Sequence, residues 1–359
     1  MHALALNKFF QGGVALMLST VLINALNYFF YILIARTLGP RDYGEIVTLF
    51  SYLALFGTPF AILSTLLIRR LGYAGAKKIE VIQQFEQFFW QQIRKYGIPI
   101  LILLIGFTPF LPRITNLTPA SSFVLVLALM LGLVSMPYFA FVQGLHLFGT
   151  YSLIAILSTL LKFSGAFIVF LGIGDITIIY SGFLLSLLCM FLATLHKTRT
   201  FHTSPEGYTY RFQKNIKSLL LQRSTLYAFI SLLGLTALGN IDVLYVKKFM
   251  SAHEAGLYGA WGLFAKTILY FLGPINSVLF IFFSEKETKD QQRAVLNTIL
   301  ILLVLVTLGA YFVYTIFEKQ LIQIVLTNRF EGLSGLLSQA ALFGAGYSLV
   351  TIMNNFFFS

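Results

Sequence analysis

The chain has 359 residues, of which 58% are hydrophobic and only 11% charged, and it carries a net charge of +12 with a mean hydropathy of +0.83. A soluble domain carries about 25% charged residues, so there are too few charges here to face water over the whole surface, and lipid must cover it. The positive charge sits in short loops between apolar runs, where it sets membrane orientation rather than gripping nucleic acid.

A helix needs about 20 apolar residues to cross a bilayer. Such runs occur at 14–35, 45–68, 97–111, 121–142, 152–172, 176–195, 218–245, 258–283, 295–317 and 336–358. The sequence therefore predicts an all-α, polytopic membrane protein with about ten transmembrane helices. The first run continues to Ala35, longer than the ~7–15 apolar residues of a signal peptide, and reads as a retained span. Lys and Arg crowd one side of these spans. Arg69, Arg70, Lys77, Lys78, Arg94, Lys95, Lys197, Arg199, Arg211, Lys214, Lys286 and Arg293 fall with the N-terminus, against Arg36, Arg41, Arg113, Lys247, Lys248, Lys319 and Arg329 opposite. That bias predicts a cytoplasmic N-terminus.

Two connections on the N-terminal side are long. Residues 72–95 carry Ile82, Phe85, Phe88, Phe89 and Ile93 at helical spacing among polar residues. This predicts an amphipathic helix lying at the membrane surface and leading into the third span. The stretch 197–217, with Thr203-Ser-Pro-Glu-Gly207, is the most polar in the chain. It divides the sequence into a six-helix lobe at 1–200, a cytoplasmic linker at 201–217 and a second lobe at 218–359 that reaches four spans.

The two lobes share a hairpin. Arg36-Thr-Leu-Gly-Pro-Arg-Asp-Tyr-Gly44 returns 212 positions later as Lys248-Phe-Met-Ser-Ala-His-Glu-Ala-Gly256, pairing Arg36 with Lys248, Asp42 with Glu254 and Gly44 with Gly256. Both copies join two apolar segments. Internal repeats of this kind build many transporters, and parallel lobes imply a pseudo-two-fold axis along the membrane normal.

These residues carry a resemblance. Ala35 through Gly44 resembles the first hairpin of polysaccharide-biosynthesis flippases of the Wzx type. Asn240-Ile-Asp-Val-Leu through Glu254-Ala-Gly-Leu-Tyr258 is similar to their seventh span and the loop after it, and Pro274 through Glu285 to the end of their eighth. The resemblance extends to lipid II flippases and, more distantly, to MATE multidrug exporters. It implies two six-helix lobes around a cavity that opens alternately to each side of the cytoplasmic membrane. It further implies a lipid-linked oligosaccharide as substrate, of the kind used for lipopolysaccharide O-antigen, with membrane lipid around it and a polysaccharide polymerase or other assembly proteins as partners. The family has twelve to fourteen spans, whereas this sequence stops at the tenth. Either it is a fragment or its second lobe lacks the last two helices.

No catalytic constellation is present, and neither a cofactor motif nor a Walker lysine motif occurs. The chain reads as a non-enzyme, with an ion gradient, the membrane potential or the substrate gradient as energy source. Cys189 is the only cysteine, and no Cys/His metal spacing exists.

The polar residues inside the spans are the candidate sites. Lys162 lies about midway along the fifth span, where a charge costs about 2.5–3.5 kcal/mol. It is either a cavity cation that meets a diphosphate or an acidic sugar, or a side chain snorkelling from a helix that starts earlier, near Phe148. Lys266 in the eighth span is a second substrate cation or a partner for Asp242. Asp242 and Asn240, in the seventh span, are candidates for coupling a proton or cation, with a salt bridge from Asp242 to Lys247 or Lys266 as the structural alternative. Asn24 and Asn27 share a face of the first span and either contact sugar hydroxyls or pack helices. Arg36 and Lys248 are membrane anchors or a cation pair at the outward mouth. Pro59 and Pro274 kink their helices as hinges or simply shape them. The rival functions are a cation-coupled multidrug exporter and a non-transporting scaffold of a polysaccharide assembly complex. A membrane glycosyltransferase would need a larger outside loop than any here.

Overall fold

The computed structural model describes residues 2–201, 223–284 and 289–358, and every regular element in them is helical. The long helices are α1 (His2–Thr37), α2 (Pro40–Tyr73), α3 (Lys78–Gln92), α4 (Ile98–Phe107), α5 (Pro119–Gly144), α6 (Phe148–Phe170), α7 (Ile176–Arg199), α8 (Arg223–Leu238), α9 (Ile241–Phe249), α10 (Ala252–Ser284), α11 (Lys289–Ile316) and α12 (Leu337–Phe358). All-α polytopic architecture is thus what the sequence specifies. In lipid, every backbone polar group must be satisfied within the segment, and a helix does that. Large apolar side chains such as Leu103 (69% exposed) and Ile102 (66%) accordingly face outward.

Among the described residues, seven helices are long and apolar enough to span, and eight if Leu226–Leu238 and Ile241–Phe249 form one span bent by 45°. The predicted number was ten. The eighth and tenth predicted spans are helical, as α10 and α12, and each ends in residues whose side chains lie outside the described ones. The predicted third span, 97–111, is the centre of a longer continuous helical stretch, Lys78–Thr115.

The surface helix expected at 72–95 is corrected. Ile82 and Phe85 of α3 are buried against Leu67 and Leu71 of α2 and Met136, Tyr138 and Phe141 of α5. The apolar stripe that suggested a lipid surface faces protein instead, because α2 and α5 offer it a larger apolar wall. Polar contacts fix the same seam. Trp90 Nε1 donates to the Tyr138 hydroxyl at 2.6 Å, which donates to Glu86 Oε1 at 2.8 Å. Lys78 Nζ donates to the Gly144 carbonyl at 2.9 Å. Tyr138→Phe removes a buried hydroxyl that bonds two half-buried side chains and should lower thermal stability by about 1–3 kcal/mol, readable as a shifted unfolding transition in detergent, whereas a surface control such as Tyr73→Phe should leave the transition in place.

Pro40 opens α2, where a missing N–H has no helical partner to lose. Asp42 in the first turn and Arg70 in the last complement the helix dipole. Pro59 is accommodated inside α2.

The described chain forms two compact units. One comprises Met1–Leu16, Tyr52–Lys162 and Tyr180–Thr236; the other comprises Met17–Ser51, Phe163–Ile179 and Ala237–Ser359. The lobes at 1–200 and 218–359 divide the chain by its repeat, whereas these units divide it by contact, and the two differ at 17–51, 163–179 and 218–236. Most of the predicted linker, 202–217, and the side chain of Pro274 lie outside the described residues.

Candidate functional site

The two copies of the repeated hairpin meet inside the second unit. A Cβ on Gly44 would lie 2.7 Å from the Gly256 nitrogen, and a Cβ on Gly256 would lie 1.8 Å from the Pro40 carbonyl oxygen. Either is too close for a side chain, so the backbones of α2 and α10 cross at glycines. Gly44 and Gly256 are repeat mates, 212 positions apart. So are Val47 and Gly259, where a Cβ on the glycine would sit 3.3 Å from the valine side chain. Matched positions touch each other only where a local two-fold passes between them.

Beside this crossing, Lys247 Nζ donates to Glu45 Oε2 at 2.5 Å, with side-chain exposures of 4% and 7%. A buried pair of this kind holds only if each charge keeps its partner. Tyr43, fully buried, packs edge-on against Phe330 with ring centres 5.8 Å apart. α10 begins with a capping box: the Ser251 N–H donates to Glu254 Oε2 at 2.9 Å, and the Glu254 N–H donates to Ser251 Oγ at 3.2 Å. Hydrogen bonds from Ser251 hold the Glu254 carboxyl below its usual range. At the matched position Gly39 has no side chain to cap with, and Pro40 and Asp42 start that helix instead.

A second cluster in the same unit surrounds Asp242. The chain bends by 45° between Leu226–Leu238 and Ile241–Phe249, and Asn240 occupies the N-cap of α9. Gly239 allows the break, since a Cβ there would meet the Tyr347 hydroxyl at 2.9 Å. Two residues on, Asp242 Oδ2 accepts from the Tyr258 hydroxyl at 2.7 Å, while Oδ1 is buried without a hydrogen-bond partner. Lys266 and Tyr347 both lie within electrostatic range of the carboxylate. Nearly two turns along α10 from Trp261, whose Nε1 donates to the Leu336 carbonyl at 2.9 Å, the Thr267 hydroxyl bonds Tyr28 of α1 at 3.1 Å. Tyr314 of α11 donates to the Phe264 carbonyl at 3.0 Å.

The predicted residues fall into place unevenly. Asp242 and Lys266 lie within electrostatic range of each other, but they form neither an ion pair within 4 Å nor a hydrogen bond. Lys247, the other partner considered for Asp242, pairs with Glu45 instead, because α9 turns it toward the start of α2. Asn240 occupies the N-cap position of α9, with no side-chain capping bond. Asn24 and Asn27 are half-buried on α1, next to the Tyr28 contact with α10. Arg36 is exposed, and its guanidinium donates to the Ile324 carbonyl. Lys248 is exposed at the end of α9. Lys162 is half-buried on α6, which does start at Phe148, and it sits about 12 Å from the Phe170 end at 1.5 Å per residue.

Sequence reasoning missed Glu45, the Lys247 pairing and the tyrosines. Glu45 was visible as an acid at the start of a span, a costly place for an unpaired carboxylate. Its partner, 202 positions away, carries no local signal. Tyr28, Tyr258 and Tyr347 were merged into the general aromatic content.

The sequence profile of a family described as "Polysaccharide biosynthesis protein" matches residues 9–287. No curated protein sequence matches the chain. A solved structure described as "Inward-facing conformation of a multidrug resistance MATE family transporter of the MOP superfamily" is similar with a TM-score of 0.56 at 13% identity, over 95% of this chain and 84% of that one. The likeness is one of fold.

Proposed function

Since the chain belongs to the polysaccharide biosynthesis protein family, we propose that this multi-pass membrane protein flips a lipid-linked oligosaccharide, a polyprenyl-diphosphate glycan, across the cytoplasmic membrane by alternating access. The observation that carries the reading is the buried, half-satisfied carboxylate of Asp242 facing Lys266 at a broken span. Broken membrane helices commonly line substrate and ion sites, and intramembrane charges mark transport pathways.

The physical problem is a hydrophilic glycan that cannot enter hydrocarbon, joined to a tail that cannot leave it. Lys266 binds the diphosphate by charge-assisted hydrogen bonds, and Lys162 of the first unit is a separate candidate cation for the substrate. The phosphate competes with Asp242 for the Lys266 ammonium. Once that counter-charge is drawn away, the carboxylate takes up a proton or a cation at Oδ1. Substrate binding and ion binding are then linked through one lysine. Asn24 and Asn27 contact the glycan, and Arg36 and Lys248 draw the diphosphate toward the outer mouth.

With the N-terminus in the cytoplasm, the hairpins at Gly44 and Gly256 lie on the outer side. Their contact and the Glu45–Lys247 pair form the closed outer gate of the second unit. A cation-coupled multidrug exporter is the second reading, favoured by the likeness to a MATE family transporter and by Asp242.

The test is transport of a fluorescent lipid-linked oligosaccharide in proteoliposomes under imposed ion gradients. Asp242→Asn should bind substrate but lose gradient-driven accumulation. Lys162→Ala should insert normally and lose glycan export. Export of drugs with no movement of the glycan would favour the second reading.

A further inference from the structure

A cavity of about 860 Å³ lies within the first unit, between α4 and the helices behind it. No side chain of α4 is buried, so this helix stands off from its neighbours. Ile100, Leu104 and Phe107 of α4 form one wall; Phe60 of α2 with Leu129 and Leu133 of α5 forms the other. The lining is almost wholly apolar. Water finds no partners in such a space, and leaving it empty would forfeit dispersion contacts along both walls. A hydrocarbon chain is the filling that these walls select.

Its length narrows the choice. The α5 wall runs from Leu125 to Val134, about 14 Å, and the wall that carries α4 runs from Gln92 to Leu111, about 28 Å at 1.5 Å per residue. That is nearly the whole hydrocarbon thickness of about 30 Å, whereas the chain of an ordinary phospholipid ends near the mid-plane, about 15 Å in. Charge marks one end. Gln92 and Tyr96 line the cavity there, and the exposed cations Arg94 and Lys95 stand in the same π-turn, Ile93–Gly97, with Lys95 Nζ 5.0 Å from the Tyr96 ring centre. π-turns inside α-helices recur at functional sites. Two cations in the turn at one end of an apolar wall nearly as long as the bilayer is thick suit an anionic head on one long chain.

We propose that this cavity seats the polyprenyl tail of a prenyl-diphosphate lipid, with Arg94 and Lys95 holding the diphosphate at the cytoplasmic end. The seat rests on the proposed flippase reading, for which it is the place where substrate is loaded before its glycan moves. It adds a tail-binding element to the first unit, apart from the Asp242 cluster of the second.

The experiment places a photoreactive benzophenone residue at Leu133, inside the cavity, or at Leu103, on the outward face of α4, in the full chain. The protein is held in phosphatidylcholine vesicles containing phosphatidylglycerol, and the probes are a long-chain polyprenyl diphosphate and geranyl diphosphate. The expected result is crosslinking of the long-chain probe at Leu133 and not at Leu103, with little from the short one. Leu129→Trp should fill the cavity and abolish it. Arg94→Gln with Lys95→Gln should weaken it about thirtyfold, at about 1 kcal/mol for each cation at a membrane surface. Equal labelling at both positions, or phosphatidylglycerol chains labelled at Leu133 in preference to the prenyl probe, would overturn the proposal. Glycan transport separates the two ideas. Transport that persists without prenyl labelling at Leu133 rejects the seat alone, whereas prenyl labelling without any glycan transport upholds the seat and rejects the flippase reading.

Discussion

Lys247→Met, made alone, should destabilise the protein by about 3–5 kcal/mol, because it leaves the Glu45 carboxylate buried without its counter-charge. Glu45 and Lys247 are 7% and 4% exposed, so neither partner can turn to water when the other is removed. The double change Glu45→Leu with Lys247→Met should recover most of the loss, since an apolar pair of similar volume is often neutral or better at a buried ion-pair site. Thermal unfolding in detergent reads the stability difference. A second readout addresses the gate. In a Cys189→Ser background, a cysteine at Leu38, which is 8% exposed beside the hairpin, should react slowly with a membrane-impermeant maleimide in the otherwise unaltered chain. It should react faster in the double variant, where the outer gate has lost its charge pair. A stable double variant with unchanged labelling would make the pair a packing element and not a gate.

Gly256→Ala should produce the next largest loss. The added Cβ would fall 1.8 Å from the Pro40 carbonyl oxygen, a backbone atom that cannot swing aside. Overpacking of a tight contact costs about 1–3 kcal/mol and sometimes more, and here relief requires the two hairpins to separate. Gly44→Ala should behave likewise, with its Cβ 2.7 Å from the Gly256 nitrogen. Gly57→Ala, in the same helix but with nothing within 4 Å, is the control. It should be neutral or stabilising by up to about 1 kcal/mol through helix propensity. If the crossing of glycines closes the outer side, Gly256→Ala should also bias the chain toward outward opening and raise maleimide labelling at the Leu38 cysteine. Equal stability of Gly256→Ala and Gly57→Ala would show that the hairpins do not approach each other as described.

Much of this fold was legible in the sequence because lipid imposes a simple rule. An apolar run long enough to cross must be a helix, and the all-α class followed from hydropathy. The repeat was legible too, and its most informative residues were glycines. Gly44 and Gly256 could be matched by spacing, but that they touch is a consequence of symmetry that spacing alone does not state. The reading of 72–95 failed for an identifiable reason. An apolar stripe on one face of a helix says that the face is covered, not whether lipid or protein covers it; here Leu71, Tyr138 and Phe141 do. The partner of Glu45 was illegible because it lies 202 positions away. Sequence showed Asp242 and Lys266 as rare charges within spans, and depth was enough to single them out. The Tyr258 hydroxyl and the break at Gly239 complete that site, and a tyrosine among many aromatics gives no signal until the helices are placed.

The most direct measurement is translocation of a fluorescent lipid-linked oligosaccharide in proteoliposomes, comparing the unaltered chain with Lys266→Ala and Asp242→Asn at matched protein insertion. The account predicts movement by the unaltered chain, loss of movement in Lys266→Ala, and movement that no longer follows the ion gradient in Asp242→Asn. Gradient-driven movement surviving in both variants would contradict it.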